Sequence, residues 1–156
     1  MGIEHIKCSS RNLKSLEGCP NGLKSLDMYG YSLLSLEPFR GFTELESLVI
    51  SNPCRISDLS PLASCTKIKK LTIGSSRVSD LSLLSSMSLL EELVICFCDR
   101  IKSLDPLSGL MNLRKINCQG IDPQTSLLPL ASCTGLDDLW FSRNAVDLEL
   151  LKKKLG

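Results

Sequence analysis

The sequence predicts an α/β solenoid: about seven short parallel strands stacked along one axis, joined by turns and short 3-10 or helical segments on the opposite face. Two observations carry this. The hexapeptide PLASCT occurs at Pro61–Thr66 and again at Pro129–Thr134, 68 residues apart, a separation that no single helix or hairpin explains. A shorter period underlies it. Seven segments begin at Ile3, Leu23, Leu45, Ile68, Leu90, Leu113 and Leu136, in steps of 20, 22, 23, 22, 23 and 23 residues. Periods of this length are the signature of repeat architectures.

Each segment opens with apolar residues at its first, fourth and sixth places: IEHIKC, LKSLDM, LESLVI, IKKLTI, LEELVI, LRKINC and LDDLWF. Places four and six point one way and places three, five and seven the other, as a short strand requires. A second apolar pair follows at a spacing of three, as in Leu59/Leu62, Leu81/Leu84, Leu104/Leu107 and Leu127/Leu130. The outer segment often carries a Pro just before its last core Leu (Pro61, Pro106 and Pro129). Ser60 and Asp105 before two of these prolines read as caps of short helical or 3-10 turns. No unit can bury its own apolar side alone, so residues 1–156 form one cooperative domain.

These units resemble leucine-rich repeats along essentially the whole chain. They are most similar to the short 22-residue class of internalins and phosphatase-regulatory repeat proteins, as in ISDLSPLASCTKIKKLTI (Ile56–Ile73). LEELVICFCDRIKSLDPL (Leu90–Leu107) also resembles the cysteine-containing units of F-box ubiquitin-ligase subunits. The resemblance implies a right-handed arc with the strands on its concave face. It also implies an Asn at the ninth place whose side chain bonds neighbouring backbone; Asn144 sits there, Cys98 takes the place in the fifth unit, and the other units depart from the pattern.

Composition narrows the function. At 43% hydrophobic the chain is globular, and a net charge of +1 gives no electrostatic reason to expect nucleic acid or an anionic membrane. No apolar run reaches the roughly 20 residues of a membrane span, and MGIEHIKCSS is not a secretory leader. Eight cysteines are present. Cys8 and Cys118 take the sixth place, where other units have Met28, Ile50, Ile73, Ile95 and Phe141. Cys65 and Cys133 stand three residues before the next unit, where others have Phe42, Met87 and Leu110. They read as small buried hydrophobes, which implies a reducing, cytoplasmic setting. The Cys96–Cys98 cluster, with no His nearby in sequence, is too small for a zinc site, so no metal or cofactor is expected.

The single histidine, His5, is expected to face solvent, and no Ser–His or Cys–His relay is available. The chain reads as a non-enzyme. On the expected concave face, charge alternates along the second place (Glu4, Lys24, Glu46, Lys69, Glu91, Arg114, Asp137). It alternates again at the third place through Lys70, Glu92, Lys115 and Asp138. Such pairing keeps register and leaves no basic stripe for phosphates. The fifth place holds Val49, Val94 and the only tryptophan, Trp140, with Tyr29 at the seventh place and Phe97 at the eighth. Exposed aromatics are characteristic of binding hot spots. Val49, Val94, Phe97, Trp140 and Tyr29 are therefore the expected partner contacts, with Lys70, Glu92, Lys115 and Asp138 around them. A competing role for Trp140 is to cover the solenoid's end beneath the C-terminal segment.

AVDLELLKKKLG (Ala145–Gly156) changes period and reads as a helical cap, with Val146, Leu150 and Leu151 on one face and Lys152–Lys154 in the last turn. The N-terminus shows no matching cap, and an open strand edge is a route to self-association. The expected function is a scaffold that binds a protein partner as an adaptor or regulatory subunit. The alternative is the recognition segment of a larger receptor, F-box or kinase-type protein.

Overall fold

A computed structural model describes residues 2–9, 19–20, 22–29, 35–51, 55–142 and 147–155, apart from the side chains of residues 8 and 9. Seven strands lie in chain order in one parallel sheet: β1 (His5–Ser9), β2 (Ser25–Tyr29), β3 (Ser47–Ser51), β4 (Lys70–Ile73), β5 (Glu92–Val94), β6 (Lys115–Asn117) and β7 (Asp138–Trp140). Among the described residues five 3-10 turns return the chain: η1 (Glu37–Phe39), η2 (Ser60–Ser64), η3 (Ser82–Ser86), η4 (Asp105–Leu107) and η5 (Leu128–Ser132). The repeat lattice is the hydrogen-bond register. Leu26, Leu48, Leu71, Leu93, Ile116 and Leu139 pair in succession at the fourth place.

The core is the apolar side of this lattice. Leu23, Leu45, Ile68, Leu90 and Leu113 at the first place are fully buried, as are Leu62, Leu84, Leu107 and Leu130 from the return segments. Cys65 and Cys133 join Phe42, Met87 and Leu110 in the same buried row. They do more than fill it. The Cys65 thiol points at the Phe39 carbonyl (3.7 Å), and the Cys133 thiol at the Leu107 carbonyl (3.4 Å), each one repeat back. PLASCT thus places a thiol donor across a repeat boundary in both copies. Cys118 does the same forward, to the Trp140 carbonyl at 3.3 Å.

The caps of the outer turns fall two residues earlier than expected. Ser60 and Asp105 are the first residues of η2 and η4. Their amides donate to the side chains of Asp58 (2.8 Å) and Ser103 (3.0 Å). Ser35, Asp80 and Ser126 repeat the arrangement before η1, η3 and η5. A side chain that accepts from the amide two residues on forms an Asx- or Ser-type turn, which competes well with the short 3-10 geometry.

The C-terminal cap is α1 (Leu148–Leu155), and it packs on η5. Leu151 is buried and Leu148 half-buried, but Leu150 is 47% exposed. The expected face is wrong at Leu150, because the helix begins at 148 and only one narrow stripe of its two turns reaches the core. Val146 and Asn144 lie outside the described residues. Among the described residues no helix is long and apolar enough to cross a membrane.

Candidate functional site

The sheet places each row of side chains as the repeat dictates. At the third place Lys70, Glu92, Lys115 and Asp138 lie in direct register. Glu92 is shared by Lys70 at 3.3 Å and Lys115 at 3.5 Å. At the second place Lys24 pairs with Glu4 (3.0 Å), Lys69 with Glu46 (2.8 Å) and Arg114 with Asp137 (3.5 Å). The Lys69 ammonium bonded to Glu46 holds that carboxyl below its ordinary range. Pairs this exposed contribute little to stability, so their effect is on register and on the sign of the surface.

The fifth place reads Lys7, Asp27, Val49, Thr72, Val94, Asn117 and Trp140 in unbroken register. Trp140 is 55% exposed, Phe97 64% and Tyr29 41%. Val49 is only 9% exposed, and Val94 is half-buried. Val49 therefore does not offer the exposed contact that the sequence suggests. Its short branched side chain stands between Asp27 and Thr72, about 4.8 Å away on either side, whereas an aromatic ring stands proud of its neighbours. The aromatics do not merge into one patch. Three strand steps separate Tyr29 from the repeat of Phe97, about 14 Å, and two more separate that repeat from Trp140. The competing role for Trp140 fares poorly, since α1 packs on η5 at the outer face and leaves the indole half exposed.

The eighth place carries a feature absent from the sequence reading. Ser75 (φ 54°), Phe97 (φ 57°) and Gly120 (φ 74°) occupy it in three successive repeats, all in left-handed backbone. The sheet ladder runs on into this bend. The Ser75 amide donates to the Cys96 carbonyl at 2.7 Å, and the Phe97 amide to the Gln119 carbonyl at 2.6 Å. Glycine adopts this region freely, and a bulky aromatic does so only at a cost. The Gly at 120 was the one visible signal.

Behind this bend the ninth place holds Ser76 and Cys98, both buried, with Oγ and Sγ 3.2 Å apart. The Cys98 thiol also lies 3.3 Å from the Ile73 carbonyl. Cys98 thus does the backbone-bonding work that the resemblance assigns to Asn. Cys96 is half-buried at the seventh place, its thiol pushed up chiefly by burial. His5 is exposed on β1. No group of three or more His, Cys, Asp or Glu among the described residues could hold a metal ion.

Neither a protein-family profile nor a curated protein sequence matches the chain. Solved structures do. An internalin C2 from Listeria monocytogenes aligns with a TM-score of 0.72 at 24% identity, over 78% of this chain and 53% of that one. The fold is the leucine-rich-repeat solenoid, in its internalin-like form. An internalin (inlF) of the same organism gives 0.68 at 22% identity, over 89% of this leucine-rich-repeat chain and 47% of its own. The functional domain of InlJ from Listeria monocytogenes, described as including a cysteine ladder, gives 0.74 at 19%, over 92% and 30%. The chain thus spans about half or less of the length of these structures.

Proposed function

We propose that this solenoid is a non-catalytic module that binds a protein through its concave face, as an adaptor or regulatory subunit. The observation that carries the reading is the exposure of Phe97 and Trp140 at 64% and 55%, in a chain with only 4% aromatic residues. A solvated indole and phenyl on a rigid sheet can dock with little ordering cost. Val94, Tyr29, Lys70, Glu92, Lys115 and Asp138 complete the surface. The six cysteines whose side chains are described are free, and four of them are buried, which fits a reducing compartment. Recovery of a tagged chain in an oxidising compartment would oppose that placement.

The test compares the native chain with a Trp140→Ala/Val94→Glu variant in affinity capture from the source cells. Thermal unfolding first establishes that the variant is folded. A partner captured by the native chain and lost by the variant supports the reading; equal recovery sinks it. A second reading, recognition segment of a larger protein, is favoured by the chain's 53% or smaller share of the matched structures. Further repeats, a kinase or an F-box in the parent reading frame would decide for it. Self-association would use β1, the N-terminal edge strand, whose neighbour Ile3 is 65% exposed. Concentration-independent sedimentation as a monomer would remove it.

A further inference from the structure

Three outer segments align residue for residue: RISDLSPL (Arg55–Leu62), RVSDLSLL (Arg77–Leu84) and RIKSLDPL (Arg100–Leu107). In each, the residue after the arginine is buried (Ile56, Val78 and Ile101), and all three belong to the same core. The Arg77 amide donates to the Ile56 carbonyl at 2.8 Å, so the third and fourth repeats are in contact at this place. Arg55, Arg77 and Arg100 therefore form a row along the flank where the chain leaves the sheet. All three are exposed. Among the described residues, none of the three guanidinium groups makes a hydrogen bond or ion pair.

The row breaks the alternation that the second and third places keep. At the second and third places sign alternates from repeat to repeat, and acid meets base across the strands. Like charges on successive repeats repel, and nothing in the fold requires three of them. Three of the nearby acids are otherwise engaged. Asp58 and Asp80 accept from the backbone and hydroxyl groups of Ser60 and Ser82, and Asp122 holds Lys102. Asp99, beside Arg100, is exposed and forms no ion pair among the described residues.

We infer that Arg55, Arg77 and Arg100 form a second binding surface, for an acidic protein segment with carboxylates at alternate positions. Guanidinium groups are suited to bidentate carboxylate recognition. Repeats stack at about 4.8 Å on the sheet and fan outward from it, while same-face residues of an extended peptide lie about 6.7 Å apart. Long arginine side chains span the difference. Three cations in a chain of net charge +1 are too few for duplex DNA, whose binders commonly make about 6–10 phosphate contacts. The flank is distinct from the concave surface, so this inference stands or falls apart from the proposed function.

The test is fluorescence anisotropy with a labelled peptide carrying glutamate at alternate positions, against the same peptide with glutamine. Binding of the glutamate peptide alone, weakened by salt, is expected. Arg77→Gln should weaken it about tenfold, and Arg55→Gln/Arg77→Gln/Arg100→Gln about a hundredfold or more, with thermal unfolding no lower than in the native chain. Arg77→Lys keeps the charge and should lose part of the affinity, which provides a readout should the triple variant fail to fold. Trp140→Ala/Val94→Glu should bind the peptide as the native chain does. Equal binding of the glutamine peptide, or of Arg77→Gln, overturns the proposal. So does tighter binding of duplex DNA or phosphatidylserine vesicles than of the glutamate peptide.

Discussion

The ring of Phe97 rests against the backbone of Gly120, one repeat on. A Cβ at Gly120 would stand 2.7 Å from Phe97 Cδ1 and 3.1 Å from its Cα. Gly120 is itself at φ 74°, so a side chain there meets both a clash and an unfavourable backbone. Gly120→Ala should lower stability by about 1–3 kcal/mol in urea unfolding. It should also shift the environment of the Phe97 ring, read by NMR. An unchanged midpoint would mean that the bend relaxes freely.

Phe97 occupies the same left-handed bend without glycine's freedom, with its ring 64% exposed. Asparagine tolerates this region far better than an aromatic does. Phe97→Asn should therefore raise stability by about 0.5–1 kcal/mol while weakening partner capture. A loss of stability would show that the ring's contact with Gly120 outweighs the backbone cost.

Burial raises the Cys118 thiol from its ordinary value of 9.0 to about 12, and raises Cys65 and Cys133 in the same direction. The unfolded thiols ionise first as pH rises, so their contribution is intact below about pH 9 and is lost as pH climbs through the folded values. Stability should fall from about pH 9 upward. Iodoacetamide at pH 8 should leave Cys65, Cys98, Cys118 and Cys133 unmodified in the folded chain, by peptide mass mapping. Ready labelling of any of them would contradict the packing.

Asp147 ties the terminal helix to the last outer turn. Its carboxylate accepts from the Ser126 hydroxyl and from the Leu127 amide at 2.9 Å, while its carbonyl accepts from the Leu151 amide at 2.9 Å. Partial burial pushes its pKa up, but the bonds from Ser126, Leu127 and Leu128 outweigh it and lower the net value. The stabilisation is present above the ordinary aspartate value, about 3.9, and is lost as pH falls below it. Asp147→Asn should loosen α1 at neutral pH, seen as faster amide exchange at Leu151. Its acid unfolding should also be less steep than the native chain's. Equal exchange in both chains would remove Asp147 from this role.

Much of the concave site was legible because charge and aromatic content are properties of single places in a lattice. Glu92 between Lys70 and Lys115 follows from counting alone, as does the position of Trp140 beside Asn117. Burial was not legible at Val49, since it depends on the size of cross-strand neighbours rather than on the residue itself. The caps at Asp58 and Ser103 were missed because Pro61 and Pro106 drew the turn one step too late. Leu150 was misassigned because a two-turn helix has no room for a full apolar stripe.

The sequence by itself determined the repeat, and with it the strands, their order and their register, because the apolar places of each strand recur every 20–23 residues. PLASCT was one symptom of that period. Tertiary structure alone decided what stands between repeats: the thiols of Cys65 and Cys133 reaching back to Phe39 and Leu107, and Cys98 meeting Ser76. It also decided the left-handed bend that holds Phe97 over Gly120. Periodicity specifies which residues share a row; only the packed coordinates specify how far a side chain reaches along it, and what it finds there.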